Sequence, residues 1–167
     1  MATVQALGAR SHVLTLAGEV GQAYAALHEQ ARAFDRLPDR ITSDLLSAGG
    51  WPVFRLLYCR SLVYTLAGHT DADQAQREAI SSYPSARVRQ RAQVELHRAH
   101  TEVQQGHIDD GLGHAREVLA RVGAANMTRF VLHVAAGVAD AVPVAERSRP
   151  SMIEYRQQIA LTAGGGT

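Results

Sequence analysis

A glycine recurs at the joint between two amphipathic runs, and this pattern restricts the chain more than any other. Leu66-Ala67-Gly68-His69-Thr70-Asp71 precedes an Ala-punctuated run from Gln74 to Ile80. Gln104-Gln105-Gly106-His107-Ile108-Asp109 precedes Gly111-Leu112-Gly113-His114-Ala115 and a run on to Leu119. A weaker copy, Leu16-Ala17-Gly18-Glu19-Val20, precedes Ala23, Leu27 and Ala31. Glycine at such a joint supplies the left-handed residue that ends one helix before the next begins. Small residues on the second helix then allow the pair to pack closely. The pattern predicts an all-α antiparallel helical-hairpin array. Such arrays bury a core by stacking one unit on the next and serve mainly as binding scaffolds.

Apolar spacing places the elements. A first helix is expected over about Thr3–Ala17 with Val4, Leu7, Val13, Leu14 and Leu16 inward, and a second over Val20–Leu37, ended by Pro38, with Ala23, Leu27, Ala31 and Phe34 inward. Asp39–Gly50 reads as a connection with one helical turn around Leu45 and Leu46. Pro52–Ala67 is apolar nearly all round and is expected to be the most buried helix. Ala72–Tyr83 pairs with it. Ser85 is expected to cap a long helix reaching Gln105, with Ala92, Leu96, Ala99 and Val103 inward. Ile108–Val122, Met127–Val142 and Met152–Leu161 complete about eight helices, the last packing through Ile153, Tyr155 and Ile159. The array is expected to form one domain over residues 1–163, with a disordered Gly-rich tail at 164–167.

Composition excludes several classes. The net charge of +1 gives no general attraction to nucleic acid or an anionic membrane. All the basic residues are arginine. Cys59 is the single cysteine, so an internal disulfide and a multi-cysteine zinc site are excluded. Within its apolar run it reads as a buried small hydrophobe. No apolar run reaches transmembrane length, and the N-terminus lacks a basic-then-apolar leader pattern, so a cytoplasmic protein is expected.

Several stretches resemble the C-terminal, tetratricopeptide-like sensor region of actinobacterial XRE-family helix-turn-helix transcriptional regulators. They are Trp51-Pro52-Val53-Phe54-Arg55-Leu56, Tyr64-Thr65-Leu66-Ala67-Gly68-His69-Thr70, Tyr83-Pro84, Arg91-Ala92-Gln93-Val94-Glu95-Leu96-His97-Arg98-Ala99, Gly106-His107-Ile108, Gly111-Leu112 and Tyr155-Arg156. Together they span about Asp35 to Ala160. The resemblance implies a tetratricopeptide-like α-solenoid that senses a ligand and oligomerises. It also implies a DNA-binding head upstream, for which the first helices leave no room. The chain therefore reads as a regulator's sensor part without its head, and direct DNA binding by it alone is not expected. The alternatives are a stand-alone adaptor, or a small natural-product pathway protein that binds a small molecule or a metal through its histidines.

In such an array the first helix of each hairpin lines a concave groove. Counting back from Gly68 puts Arg55, Tyr58, Leu62 and Thr65 on it, and from Gly106 puts Gln93, His97 and His100 there. Arginine, tyrosine and histidine on one concavity suit a peptide, a protein segment or an amphipathic small molecule. His97 and His100, three apart on one helix, are weak metal candidates that lack an obvious third ligand. His69 and His107 follow cap glycines, where a donor can satisfy terminal carbonyls. Glu19, Asp71, Asp73, Asp109 and Asp110 gather at helix starts, where capping accounts for them. Arg87, Arg89 and Arg91 alternate along a helix start and read as a solvated face. No phosphate loop, nucleophile elbow or acid–base pair nominates an enzyme, and no cofactor is implied. A homodimer completes the expected partners.

Overall fold

The computed structural model describes residues 1–45, 47 and 49–164. Among them the chain is all-helical: α1 (Ala2–Leu16), α2 (Val20–Phe34), α3 (Asp39–Thr42), α4 (Val53–Leu66), α5 (Ala72–Ser82), α6 (Val88–Gln104), α7 (Ile108–Val122), α8 (Arg129–Asp140) and α9 (Pro150–Gly164). Short 3₁₀ turns at Ala124–Asn126 and Val144–Glu146 precede and follow α8. The chain divides into two compact units, Met1–Ser82 and Tyr83–Thr167. None of the helices is long and apolar enough to cross a membrane, among the described residues.

The glycine joints are as the sequence predicts. Gly18, Gly68 and Gly106 have φ of +79°, +63° and +90°. In each case the glycine N–H donates to the third residue back and the following N–H to the fifth back. The pairs are Gly18 to Thr15 and Glu19 to Leu14, Gly68 to Thr65 and His69 to Tyr64, Gly106 to Val103 and His107 to Glu102. This closes the otherwise orphaned carbonyls of α1, α4 and α6 and reverses the chain within a few residues.

In the first unit α1 packs along α2 through a stripe of small residues, Val4, Gly8, Ser11 and Thr15. This overturns part of the expected apolar face, since Val13 and Leu16 are exposed. Spacings of four, three and four keep the small residues on one side of the helix, and their size lets α2 approach. The buried hydroxyls are satisfied within the helix, Ser11 Oγ donating to Gly8 O at 2.8 Å and Thr15 Oγ1 to Ser11 O at 2.8 Å. From α2, Gln30 enters the same interface fully buried, its Nε2 donating to Val4 O at 3.0 Å. One cluster joins Val4, Ala33 and Trp51 with Leu7, Phe34, Leu37 and Ile41; another joins Ala23, Leu27 and Val63 with Leu14, Tyr24, Cys59 and Tyr64.

The connection differs from expectation. Its helical turn is α3, and Leu45 is not helical; Leu46 lies outside the described residues. Pro38 in an extended conformation (ψ 146°) launches α3, and the Thr42 and Ser43 hydroxyls fold back on Asp39 O to end it.

The second unit has one continuous core from α6 to α9, including Leu96, Ala99, Val103, Leu112, Val118, Val131, Val138, Met152 and Tyr155. Ala92, Leu96, Ala99 and Val103 are inward as expected. α6, and not α4, carries the most buried positions, because Gln93, Val94 and His97 are covered as well. Ser85 does not cap it: Ser85 sits in the turn closed by Arg87 N–H on Pro84 O, and α6 starts at Val88. Thr128 caps α8, its Oγ1 accepting from Val131 N at 3.2 Å. On α9, Met152 and Tyr155 are fully buried and Ile153 is 49% exposed, so Ile153 does not pack as expected. Ile153 stands one residue, a turn of about 100°, off the Met152–Tyr155–Ile159 face. The Tyr155 hydroxyl donates to Ala135 O at 2.8 Å. Gly164 ends α9 instead of opening a tail, and residues 165–167 lie outside the described residues.

Candidate functional site

The residues expected to line a groove lie on α4 in the first unit and on α6 in the second. On α4, the Arg55 guanidinium lies over the Trp51 ring, 5.4 Å from its centroid. This cation–π contact holds Arg55 against its own helix start. Tyr58 and Leu62 are half-buried. Thr65 is buried, and its hydroxyl accepts from Gln76 Nε2 at 2.9 Å, which ties α4 to α5. A buried side-chain hydrogen bond of this kind fixes hairpin register and offers little to a ligand.

On α6, Gln93 and His97 are buried, at 8% and 2% exposure, and do not form a solvent-facing stripe. His100 is half-buried on the α8 side, its Nδ1 4.0 Å from where a Cβ on Gly137 would stand. Burial pushes the His100 pKa below the ordinary imidazole value, against the pull of Asp140. No group of three His, Cys, Asp or Glu side chains is placed to hold a metal ion among the described residues, so His97 and His100 have no third ligand of those types with them.

Several further charged side chains join neighbouring helices. His114 on α7 pairs with Glu102 on α6 at 3.1 Å. Arg121 pairs with Glu95 and Arg116 with Glu154. Asp109 does not cap α7, whose start has no side-chain cap hydrogen bond: it accepts from Arg149 Nη1 at 2.7 Å and from Ser151 Oγ at 2.5 Å, linking α7 to the start of α9. Arg91 Nη1 reaches Tyr83 O at 3.3 Å. The His69 imidazole does not donate to terminal carbonyls. Its Nδ1 accepts the Asp71 N–H at 3.0 Å while its ring stacks on Tyr64, centroids 4.0 Å apart and planes 13° apart. His107 is exposed and serves the cap through its backbone.

The structure adds a site that the sequence reading did not assemble. Between α2 and α4, Tyr24, Leu27, His28 and Ala31 face Leu56, Leu57, Arg60 and Tyr64 across a cleft of about 140 Å³. Each wall follows helical spacing: 24, 27, 28 and 31 on α2, and 56, 57, 60 and 64 on α4. Tyr24 meets Tyr64 edge-on at 5.7 Å and His69 edge-on at 5.1 Å, so the aromatic end is preset by mutual packing. Desolvation first, then the neighbouring Tyr64, raises the Tyr24 phenol above its usual pKa. Arg60 pairs through an Nη with Glu78 on α5, while its Nε is buried without a hydrogen-bond partner. The pairs Tyr24/His28 and Arg60/Tyr64, each four apart, were the available signal. It was weak because the two pairs lie on helices more than thirty residues apart in sequence.

Comparison with protein families, curated proteins and solved structures gives no match. The class that the fold and this cleft define is an all-α helical array with a small amphipathic recess in its first unit.

Proposed function

We propose that the chain is a cytoplasmic tetratricopeptide-like binding module, the ligand-sensing and oligomerising part of a transcriptional regulator of the kind it resembles. The observation that carries this reading is the α2–α4 cleft. It combines apolar walls, preset aromatic rings and one arginine, the mixture a small-molecule site needs. The mechanism is population shift: a ligand seated there favours one packing of α2 against α4 over others and passes the bias to whatever the array contacts.

Native mass spectrometry of the purified chain, paired with a thermal-shift screen of small anions, amines, neutral amphiphiles and peptides, tests the proposal. A retained adduct or a saturable stabilisation, together with a dimer, is the expected result. A strictly monomeric chain that none of these classes stabilises overturns it.

A further inference from the structure

The size and polarity of the α2–α4 cleft select one class of ligand. Its volume of about 140 Å³ matches cavities of ~150 Å³ that take a single benzene ring. One ring or one short branched chain fills it; a helix presenting several side chains does not. Leu27, Ala31, Leu56 and Leu57 make the apolar lining, and Tyr24 and Tyr64 bring aromatic rings to one end. Among the described residues no aspartate or glutamate lines it, and Arg60, paired outside the lining with Glu78, is its one permanently charged group. That balance fits a monoanion better than a phosphate, which needs more than one cation or a cluster of backbone donors.

The state of Arg60 points the same way. Glu78 engages an Nη only, and the buried Nε lacks an acceptor. The Arg60 side chain as a whole is 36% exposed, so N–H groups other than the buried Nε can reach a ligand in the cleft. A carboxylate is the acceptor that suits a guanidinium edge, because its two oxygens match two parallel N–H groups. Resting on the ligand-sensing reading above, we propose that the cleft binds a small organic carboxylate carrying one ring or one short branched chain. Its carboxylate meets the Arg60 edge and its apolar body lies among Leu27, Ala31 and Leu57.

The test uses the full chain, ¹⁵N-labelled, titrated with phenylacetate and 4-methylpentanoate. Phenylacetamide and 2-phenylethylamine are the matched neutral and cationic controls. Saturable shifts of α2 and α4 amides are expected for both carboxylates, with a dissociation constant of about millimolar or tighter for ligands this small. The amide should bind at least about tenfold more weakly, the worth of one charge-assisted contact, and the amine not measurably. Arg60→Gln should weaken carboxylate binding by at least about tenfold. Ala31→Phe, which fills the recess from a half-buried position, should abolish it. Circular dichroism melts taken beside each titration show whether a variant is folded; if one is not, the other variant and the matched controls decide.

Absence of saturable binding by both carboxylates overturns the proposal. Equal binding of amide, amine and acid also overturns it. Carboxylate binding undiminished in both variants places the ligand elsewhere, so the cleft assignment falls while the ligand-sensing reading stands. A different adduct in native mass spectrometry, with no carboxylate binding, separates the two in the same way.

Discussion

Two glycines of α7, two residues apart, should respond to alanine with opposite signs. Gly111 faces α6. A Cβ there would lie 2.7 Å from Ala99 O, 2.7 Å from Val103 Cγ2 and 3.1 Å from Val103 N. Two of these neighbours are backbone atoms of a helix, so no side-chain rotation relieves the overlap and α6 and α7 must move apart. Overpacking of this kind costs about 1–3 kcal/mol, and the rigidity of the neighbours puts Gly111→Ala in the upper half of that range. Alanine returns about 1 kcal/mol through its better helix propensity. The net loss is about 1–2 kcal/mol. Around Gly113 nothing lies within 4 Å of the added carbon. Only the propensity and unfolded-chain terms remain there, and Gly113→Ala should gain about 0.5–1 kcal/mol. Urea unfolding followed by far-UV circular dichroism measures both, with midpoints moving in opposite directions and slopes unchanged. If both variants move the midpoint the same way, the close α6–α7 approach at Gly111 is wrong.

Three further outcomes follow from buried groups. Tyr155→Phe removes the hydroxyl that donates to Ala135 O and should cost about 1 kcal/mol in the same unfolding assay with the fold retained. Because burial holds His100 below its ordinary pKa of 6.5, the unfolded chain takes up its proton first as the pH falls. The stability difference is therefore absent well above pH 6.5 and grows as acid is added through that value, and His100→Gln should flatten the stability profile between about pH 5 and 7. Cys59 has its thiol pKa raised by burial, partly offset by the Gln30 amide. In native protein at mildly alkaline pH it should react with a disulfide reagent at least about tenfold more slowly than in the unfolded chain, as a thiol-release assay reads directly.

The joints and the longest apolar stripe were readable in the sequence because both are local signals. A glycine between two amphipathic runs leaves few alternatives, and Ala92, Leu96, Ala99 and Val103 keep helical spacing with large or small apolar residues throughout. α1 was misread because the face it buries is built from Gly8, Ser11 and Thr15, whose value is smallness and not hydrophobicity. Hydroxyls that bond to their own helix carry no apolar signal, so Val13 and Leu16 took their place in the reading. At α9 a single residue of phase separated Met152 from Ile153. Three of the residues expected on a groove are buried for a different reason. Thr65, Gln93 and His97 are polar and at helical spacing, which a surface stripe and a buried tie share. Tyr24, His28, Arg60 and Tyr64 were individually unremarked, since only the packing of α2 on α4 brings them together.

The three glycine endings also bear on how the chain acquires its structure. Each fixes the reversal between two helices with hydrogen bonds that span five residues at most, as in Glu19 to Leu14. The two helices so joined then meet through partners close in sequence, as α1 meets α2 and α6 meets α7. Little loop entropy is lost before such contacts form, and a chain rich in them folds fast and in local pieces. The α1–α2 hairpin carries its own turn and its own Gln30–Val4 tie, so its pairing is set locally, before Trp51 and Val63 complete its apolar clusters.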